Sequence, residues 1–267
     1  MAYSSIPSTE TIVGPNWLEL PRDVTANILQ RLGTFELLTR ACQVCPLWWN
    51  ICKDPHMWRT IKMTMLFSSR YHRKNQLVKV CRKAIERSCG QLEDIDIERF
   101  ATDDLLAYIA DSALHLRHMR IAMTWALSNK GFIESFEKLP YLESLDISFN
   151  IRLSKKSFEV VGRCCPLLKT LKCSMTKTIL SDVDYDDSFA IAKTMPGLRH
   201  LKISGQMPIS EGLSAILDGC PLLESLDLKD CYYFRFEYTE NLEKMCREKI
   251  KDFQPPENCY SSDHDSD

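Results

Sequence analysis

The chain has no apolar run near the roughly 18 residues a membrane-crossing helix needs, and no charged-then-apolar leader stands at its start. An intracellular protein outside the bilayer, nuclear or cytoplasmic, is therefore expected. Nor is there an excess of either charge: 34 Lys and Arg face 36 Asp and Glu, a net charge of −2. That balance offers no basic field to hold nucleic acid or an anionic membrane surface. Catalytic signatures are missing as well. The sequence has no glycine-rich phosphate loop, no supported Ser/His/Asp or Cys/His pattern and no zincin motif. A protein that is not an enzyme, and that uses no cofactor and no metal, is the expectation.

What is present is an ordinary globular balance, 45% hydrophobic and 26% charged over 267 residues, enough for one large domain or two modest ones. The 12 cysteines fall inside amphipathic patterns and read as small buried hydrophobes in a reducing compartment. Cys42-x-x-Cys45, with Cys52 and His56, imitates metal-ligand spacing. Cys42 and Cys45 lie around a helix end and Cys52 belongs to the next helix, so core packing is the expected role.

Residues 1–15 are small and polar and read as a disordered lead-in. From Leu20 to about Ile61 the pattern is helical and twice broken. Pro21 suits a first turn, and Val24, Ile28, Leu29 and Leu32 recur at helical spacing. Gly33 ends that helix, and Thr34 is the expected N-cap of a second that carries Phe35, Leu37, Leu38, Ala41 and Val44. Pro46 opens a third with Leu47, Trp48 and Ile51, which ends near Asp54-Pro55. Three helices in so short a span bury little by themselves and need a neighbour. Lys62, Arg70, Arg73, Lys74, Lys79, Arg82, Lys83 and Arg87 follow with little acidic opposition, which predicts a basic linker over 62–76 and then a charged helix face.

From Cys89 a repeat takes over. The unit is Leu-x-x-apolar-x-apolar, starting at Leu92, Leu116, Leu142, Leu168, Leu198 and Leu223, with successive spacings of 24, 26, 26, 30 and 25 residues. Helix-like stretches such as Asp103–Ala113, Ser157–Cys164, Ser188–Met195 and Ser210–Leu217 lie between the strand patterns. A strand plus a helix at about 25 residues per unit is the leucine-rich-repeat solenoid, predicted here over 77–253. The longest unit carries an insertion with Asp182, Asp184, Asp186 and Asp187, read as a loop. Leu242, Met245 and Ile250 suggest a closing helix, and 254–267 reads as a disordered acidic tail.

Alternation along each strand turns the residue between the last two apolar positions away from the core. Down the arc that position holds Asp96, Arg120, Asp146, Lys172, Lys202 and Asp227, and the position two earlier holds Asp94, His118, Ser144, Thr170, His200 and Ser225. Cross-strand neighbours in such a ladder stand about 4.8 Å apart. The face is mixed in sign: Asp96, Arg120, Asp146 and Lys172 alternate and are expected to neutralise one another in part, and a basic patch stands at Lys172, His200 and Lys202. A mixed face suits a protein partner, or a ligand with a single acidic group, better than a phosphate backbone. His118 and Arg120 complete the candidate substrate-binding set.

The segment from Trp17 to Ile61 resembles the F-box. The resemblance is carried by Leu20-Pro21-Arg22-Asp23-Val24, Ile28-Leu29, Leu32, Leu37-Leu38, Val44-Cys45, Trp48, and Asp54-Pro55 with Trp58. A basic residue commonly follows the Val-Cys pair in that family, whereas Pro46 stands there in this chain. Joined to the repeats, the chain looks like a plant-type F-box/LRR-repeat protein across roughly 16–253. The fold so implied is an all-α three-helix F-box over 16–61 followed by an α/β solenoid of parallel strands with helices on the convex side. The resemblance also implies a substrate receptor of an SCF-type ubiquitin ligase. Its F-box would dock on a Skp-type adaptor, and through it on cullin and RING subunits, while the repeats would hold a target protein. Leu20, Pro21, Ile28, Leu29, Leu32 and Leu37 are the expected adaptor contacts. The alternative is an F-box/LRR interaction scaffold that does not lead to degradation.

Overall fold

The computed structural model describes residues 19–64, 72–149, 153–175, 186–206, 210–234 and 240–260. The proposed lead-in, the loop positions Asp182 and Asp184, and the tail from Ser261 onward lie outside them.

Three short helices open the described chain: α1 (Arg22–Leu29), α2 (Thr34–Thr39) and α3 (Pro46–Ile51). Pro46 is the first residue of α3, where its missing N–H costs nothing, and extended Cys45 precedes it. Thr34 differs from expectation. Gly33 is the N-cap of α2, and the buried Thr34 hydroxyl accepts a hydrogen bond from the Lys62 N–H at 3.0 Å. That bond ties α2 to the strand after the helices, satisfying an edge donor that would otherwise face no partner.

The strand is β1 (Thr60–Thr64), and it pairs in parallel with β2 (Asp94–Glu98), Ile61 opposite Ile95 and Met63 opposite Ile97. Trp58, Ile61 and Met63 therefore form a further Leu-x-x-apolar-x-apolar unit with tryptophan in the leucine place. Residues 62–76, read as a linker, thus include the end of β1 and the start of α4 (His72–Arg87). The reason is physical: the first repeat strand needs an edge partner, and β1 supplies it.

The solenoid continues as α5 (Asp103–Ser112), β3 (His118–Ala122), α6 (Asn129–Phe136), β4 (Ser144–Ile147), α7 (Lys155–Cys164) and β5 (Thr170–Met175). Then come α8 (Asp186–Thr194), β6 (His200–Gln206), α9 (Ser210–Gly219), β7 (Ser225–Asp227), β8 (Cys231–Phe234), α10 (Glu240–Lys249), β9 (Asp252–Gln254) and β10 (Asn258–Tyr260). Among the described residues one parallel path runs β1-β2-β3-β4-β5-β6-β7-β9, with β8 and β10 attached beside β6. The sheet and its row of helices bury the repeat leucines between them, as in Leu92, Leu116, Leu142 and Leu198, all at 0% exposure.

The chain end differs from its sequence reading in two respects. Helix α10 does not close the arc, because it delivers β9, whose Phe253 pairs opposite Leu226. Ile250 and Phe253 thus make a last unit. Gln254 and residues 258–260, expected within the tail, lie in strands, and β10 pairs with β8. Unpaired backbone groups at an exposed edge favour such additions. Asp186 and Asp187 likewise belong to the first turn of α8 rather than to a loop.

Successive units are stitched where helices begin. Thr102 caps α5, and the following Asp103 accepts from Ser128, the cap of α6, through both N–H (2.8 Å) and hydroxyl (2.6 Å). Asn129 in turn accepts from the Ser154 N–H and the Ser157 hydroxyl of the next unit. At the strand exits a left-handed backbone recurs two residues past the last core position: Arg99 (φ 75), Met123 (φ 54), Phe149 (φ 61) and Gly205 (φ 86). Each turns its N–H toward the following unit, as in Met123 to the Ser148 carbonyl (3.2 Å) and Phe149 to the Ser174 hydroxyl (2.6 Å).

Candidate functional site

Two surfaces of the described chain differ from an ordinary solvated exterior. The first is on α1. Pro21, Val24 and Ile28 recur at three- and four-residue spacing along the helix and its N-cap, so they form one stripe, and Leu32 follows in the turn just past the helix end. Pro21 is exposed, Val24 is 38% and Leu32 42% exposed, and Ile28 and Leu20 are half-buried. The inward stripe is Thr25 and Leu29, and the Thr25 hydroxyl donates to the Pro21 carbonyl at 3.2 Å. Two expected contact residues are thereby corrected: Leu29 (0% exposed) and Leu37 (4%) are part of the chain's own core. They fill the space between the helices and offer no surface to a partner. Val24, in contrast, belongs to the exposed stripe.

These helices are held to the repeats by Arg87, the last residue of α4. Its guanidinium donates to the Cys42 Sγ and the Cys52 carbonyl, each at 3.3 Å. It also stands 5.0 Å from the Trp49 ring and 5.4 Å from the Trp58 ring. The basic run predicted a solvated residue here, but a planar cation can stack on aromatics and still spend its donors. Replacing Arg87 with alanine should destabilise the helical module by about 1–3 kcal/mol. Hydrogen exchange should accelerate most in 41–58, and Arg87→Lys should recover only part of the loss. Unchanged melting and exchange in R87A would remove this role.

The metal-like cysteines are explained at the same place. Cys42 and Cys52 are buried, burial and the hydrogen bond with Cys42 push the Cys52 thiol up to about 12, and His56 is engaged by Asp54 at 3.1 Å. A buried thiol held protonated, as at Cys52, is a poor metal ligand. Among the described residues no group of three or more His, Cys, Asp or Glu is placed to hold a metal ion.

The second surface is the outward ladder of the strands, whose register matches the sequence reading. Asp96, Arg120, Asp146, Lys172, Lys202 and Asp227 stand side by side, with Lys62 before them and Gln254 after. His118 and His200 are exposed on the companion row. Arg120, however, is occupied by Asp96 (2.7 Å), Glu98 (3.3 Å) and Asp146 (3.5 Å). Lys202 is held by Asp230 (2.7 Å) and Asp227 (2.9 Å). The basic patch is thus reduced: Lys172 is exposed and, among the described residues, makes no ion pair. Alternation of sign had pointed to pairing among Asp96, Arg120 and Asp146, but not to the hold of Asp227 and Asp230 on Lys202.

Beside this row runs another, at the strand starts, that sequence reading missed. Arg59 pairs with Glu93, Arg117 and Lys169 with Glu143, and Arg199 with Glu224. The bond from Arg59 holds Glu93 below the usual carboxylate range, and the bond from Lys169 does the same for Glu143. The signal was present one residue before each strand, where the sign alternates from Arg59 to Lys169 and again from Arg199 to Glu224. Such exposed pairs tune the seam between units and contribute little each.

With this geometry established, similarity to known proteins can be placed. A family described as F-box-like matches residues 17–64, a span that runs to the end of β1. The chain is 43% identical over 269 residues to the F-box protein SKIP19 of Arabidopsis thaliana, covering 100% of this chain and 85% of that one. It is 42% identical over 243 residues to "Putative F-box/LRR-repeat protein 23" of the same plant, covering 90% of this chain but 53% of the relative. The chain thus spans about half the length of that relative. It is 39% identical to "Putative F-box/LRR-repeat protein 22", covering 96% of this chain and 82% of the relative. From the exposed stripe at α1 to the last strand of the arc, the chain belongs to the plant F-box/LRR-repeat family.

Proposed function

We propose that the chain is the substrate-receiving subunit of an SCF-type ubiquitin ligase. The α1 stripe of Leu20, Pro21, Val24, Ile28 and Leu32 docks in a groove of a Skp-type adaptor, and the outward ladder of the repeats holds the protein to be ubiquitinated. The observation that carries this reading is the exposed apolar stripe, which a soluble helix keeps only at a cost in water and which suits a helix-in-groove contact. Strand β1 is the boundary between the two modules and belongs to both. Within the ladder, His118, Lys172 and His200 face the target, while Arg120 and Lys202 set the shape of the face through their pairs.

The chain performs no chemistry in this scheme. It raises the local concentration of target lysines near a charged ubiquitin-conjugating enzyme that the cullin and RING subunits bring. Continuity of β1 with the repeat sheet, reinforced by Thr34 and Arg87, fixes the distance between the docked adaptor and the held target. The test is reconstitution with a Skp-type adaptor, cullin and RING subunit. A stoichiometric complex that passes ubiquitin to a protein held by the repeats is expected. A complex that forms but transfers nothing favours a scaffold, and failure to retain the adaptor overturns the reading.

A further inference from the structure

At the C-terminal rim of β3 and β4, on turns that lead toward β5 and Lys172, two aromatic side chains stand out in solvent. Trp125 is 63% exposed and Phe149 50% exposed. Their turns are neighbours, joined by the bond from the Met123 N–H to the Ser148 carbonyl. Phe149 then donates its N–H to the hydroxyl of Ser174, two residues beyond Lys172 on the outward face of β5. Two residues along a strand span about 6–7 Å, so the aromatics and the ammonium border one patch.

Core packing does not account for Phe149. Its backbone has φ 61, the left-handed conformation that Arg99, Met123 and Gly205 share at the equivalent places, so the turn itself does not call for an aromatic there. A half-exposed phenylalanine there returns little burial within the chain. The charge beside it is also uncommitted. Of the ladder cations from β3 to β7, Arg120 and Lys202 are held by carboxylates, whereas Lys172 has no ion pair among the described residues.

We infer that Trp125, Phe149 and Lys172 form the reading site of the target, and that it takes an extended acidic peptide carrying one apolar side chain and a carboxylate two to four residues away. The apolar side chain covers Trp125 and Phe149, and the carboxylate meets Lys172. Aromatic anchors beside one well-placed charge are the usual composition of a binding hot spot. An aspartate or glutamate fits better than a phosphate. The neighbourhood contains Asp146, Asp227 and Asp230, and among the described ladder residues Arg120 already spends its guanidinium on Asp96, Glu98 and Asp146. This inference rests on reading the ladder as the target face.

The test is selection of a random library of unmodified dodecapeptides on the full-length chain, with adaptor retention measured in parallel. Enriched peptides are expected to pair Leu, Phe or Trp with Asp or Glu at that spacing. Trp125→Ala with Phe149→Gly should weaken the best peptide at least tenfold, since glycine accommodates the backbone at 149 and the fold is kept. Lys172→Glu should exchange the acidic preference for a basic one. No enrichment, enrichment indifferent to these variants, or at least tenfold tighter binding of a phosphoserine version overturns the inference. If adaptor retention also fails in the unaltered chain, the parent reading fails with it; retained adaptor with failed selection sinks the reading site alone.

Discussion

Gly219→Ala should destabilise the repeats by about 1–3 kcal/mol, a large effect for one methyl group on a helix that would ordinarily welcome alanine. A β-carbon at 219 would lie 2.3 Å from the Ala192 carbonyl oxygen and 2.7 and 2.8 Å from the Ala192 carbonyl carbon and α-carbon. All three are backbone atoms of α8, so no rotamer change can make room. Helices α8 and α9 would have to part, opening a seam beneath Ile191, Leu213 and Ile216, which are buried at 0%. In a solenoid each unit is stabilised only by its neighbours, so a spread seam weakens the units on both sides of it. For a chain of this size the loss corresponds to about 2–4 °C in Tm per kcal/mol. The control is Gly197→Ala, whose β-carbon would meet only the Leu168 carbonyl oxygen at an ordinary 3.9 Å. Scanning calorimetry and amide exchange on both variants decide the matter. Equal melting of the two would show that the α8–α9 approach is not limiting.

Much of the arc was legible because a period of about 25 residues and an alternation of two are both written in leucine and isoleucine. What was not legible had specific disguises. The first unit begins with Trp58 instead of leucine, and it overlaps a helical motif with a pattern of its own. The last unit begins with Ile250 behind a strongly charged helix, so it looked like a cap. On α1 the inward seam contains Thr25, a polar residue whose hydroxyl is satisfied by the Pro21 carbonyl. Hydrophobicity therefore pointed to the outward stripe and counted Leu29 with it. Arg87 carried the opposite disguise, a charge that enters the helical module because two indoles receive it. Ion pairing on the ladder depends on side-chain reach, which strand spacing does not encode. Hence Lys202 looked available although two aspartates hold it.

The division of α1 into two stripes separates docking from folding, and a pair of variants makes that separation measurable. Val24→Asp with Leu32→Asp alters side chains that are about two-fifths exposed and outside the core, so stability should stay within about 0.5 kcal/mol of the unaltered chain. Adaptor capture should fall steeply. Each apolar side chain covered by a partner contributes about 1.5–3 kcal/mol, and each introduced carboxylate would be buried there without a partner. Two such losses exceed about 2.8 kcal/mol, which is a hundredfold in Kd. Leu29→Ala should behave in the reverse order. It removes a fully buried side chain from between the helices, costs about 2–5 kcal/mol of stability and weakens capture only as far as the module unfolds. Calorimetry gives the first quantity and titration with the isolated adaptor the second. If V24D/L32D binds the adaptor like the unaltered chain, the stripe is not the docking face. If L29A loses capture while melting normally, Leu29 touches the adaptor and the inward assignment of that residue is wrong.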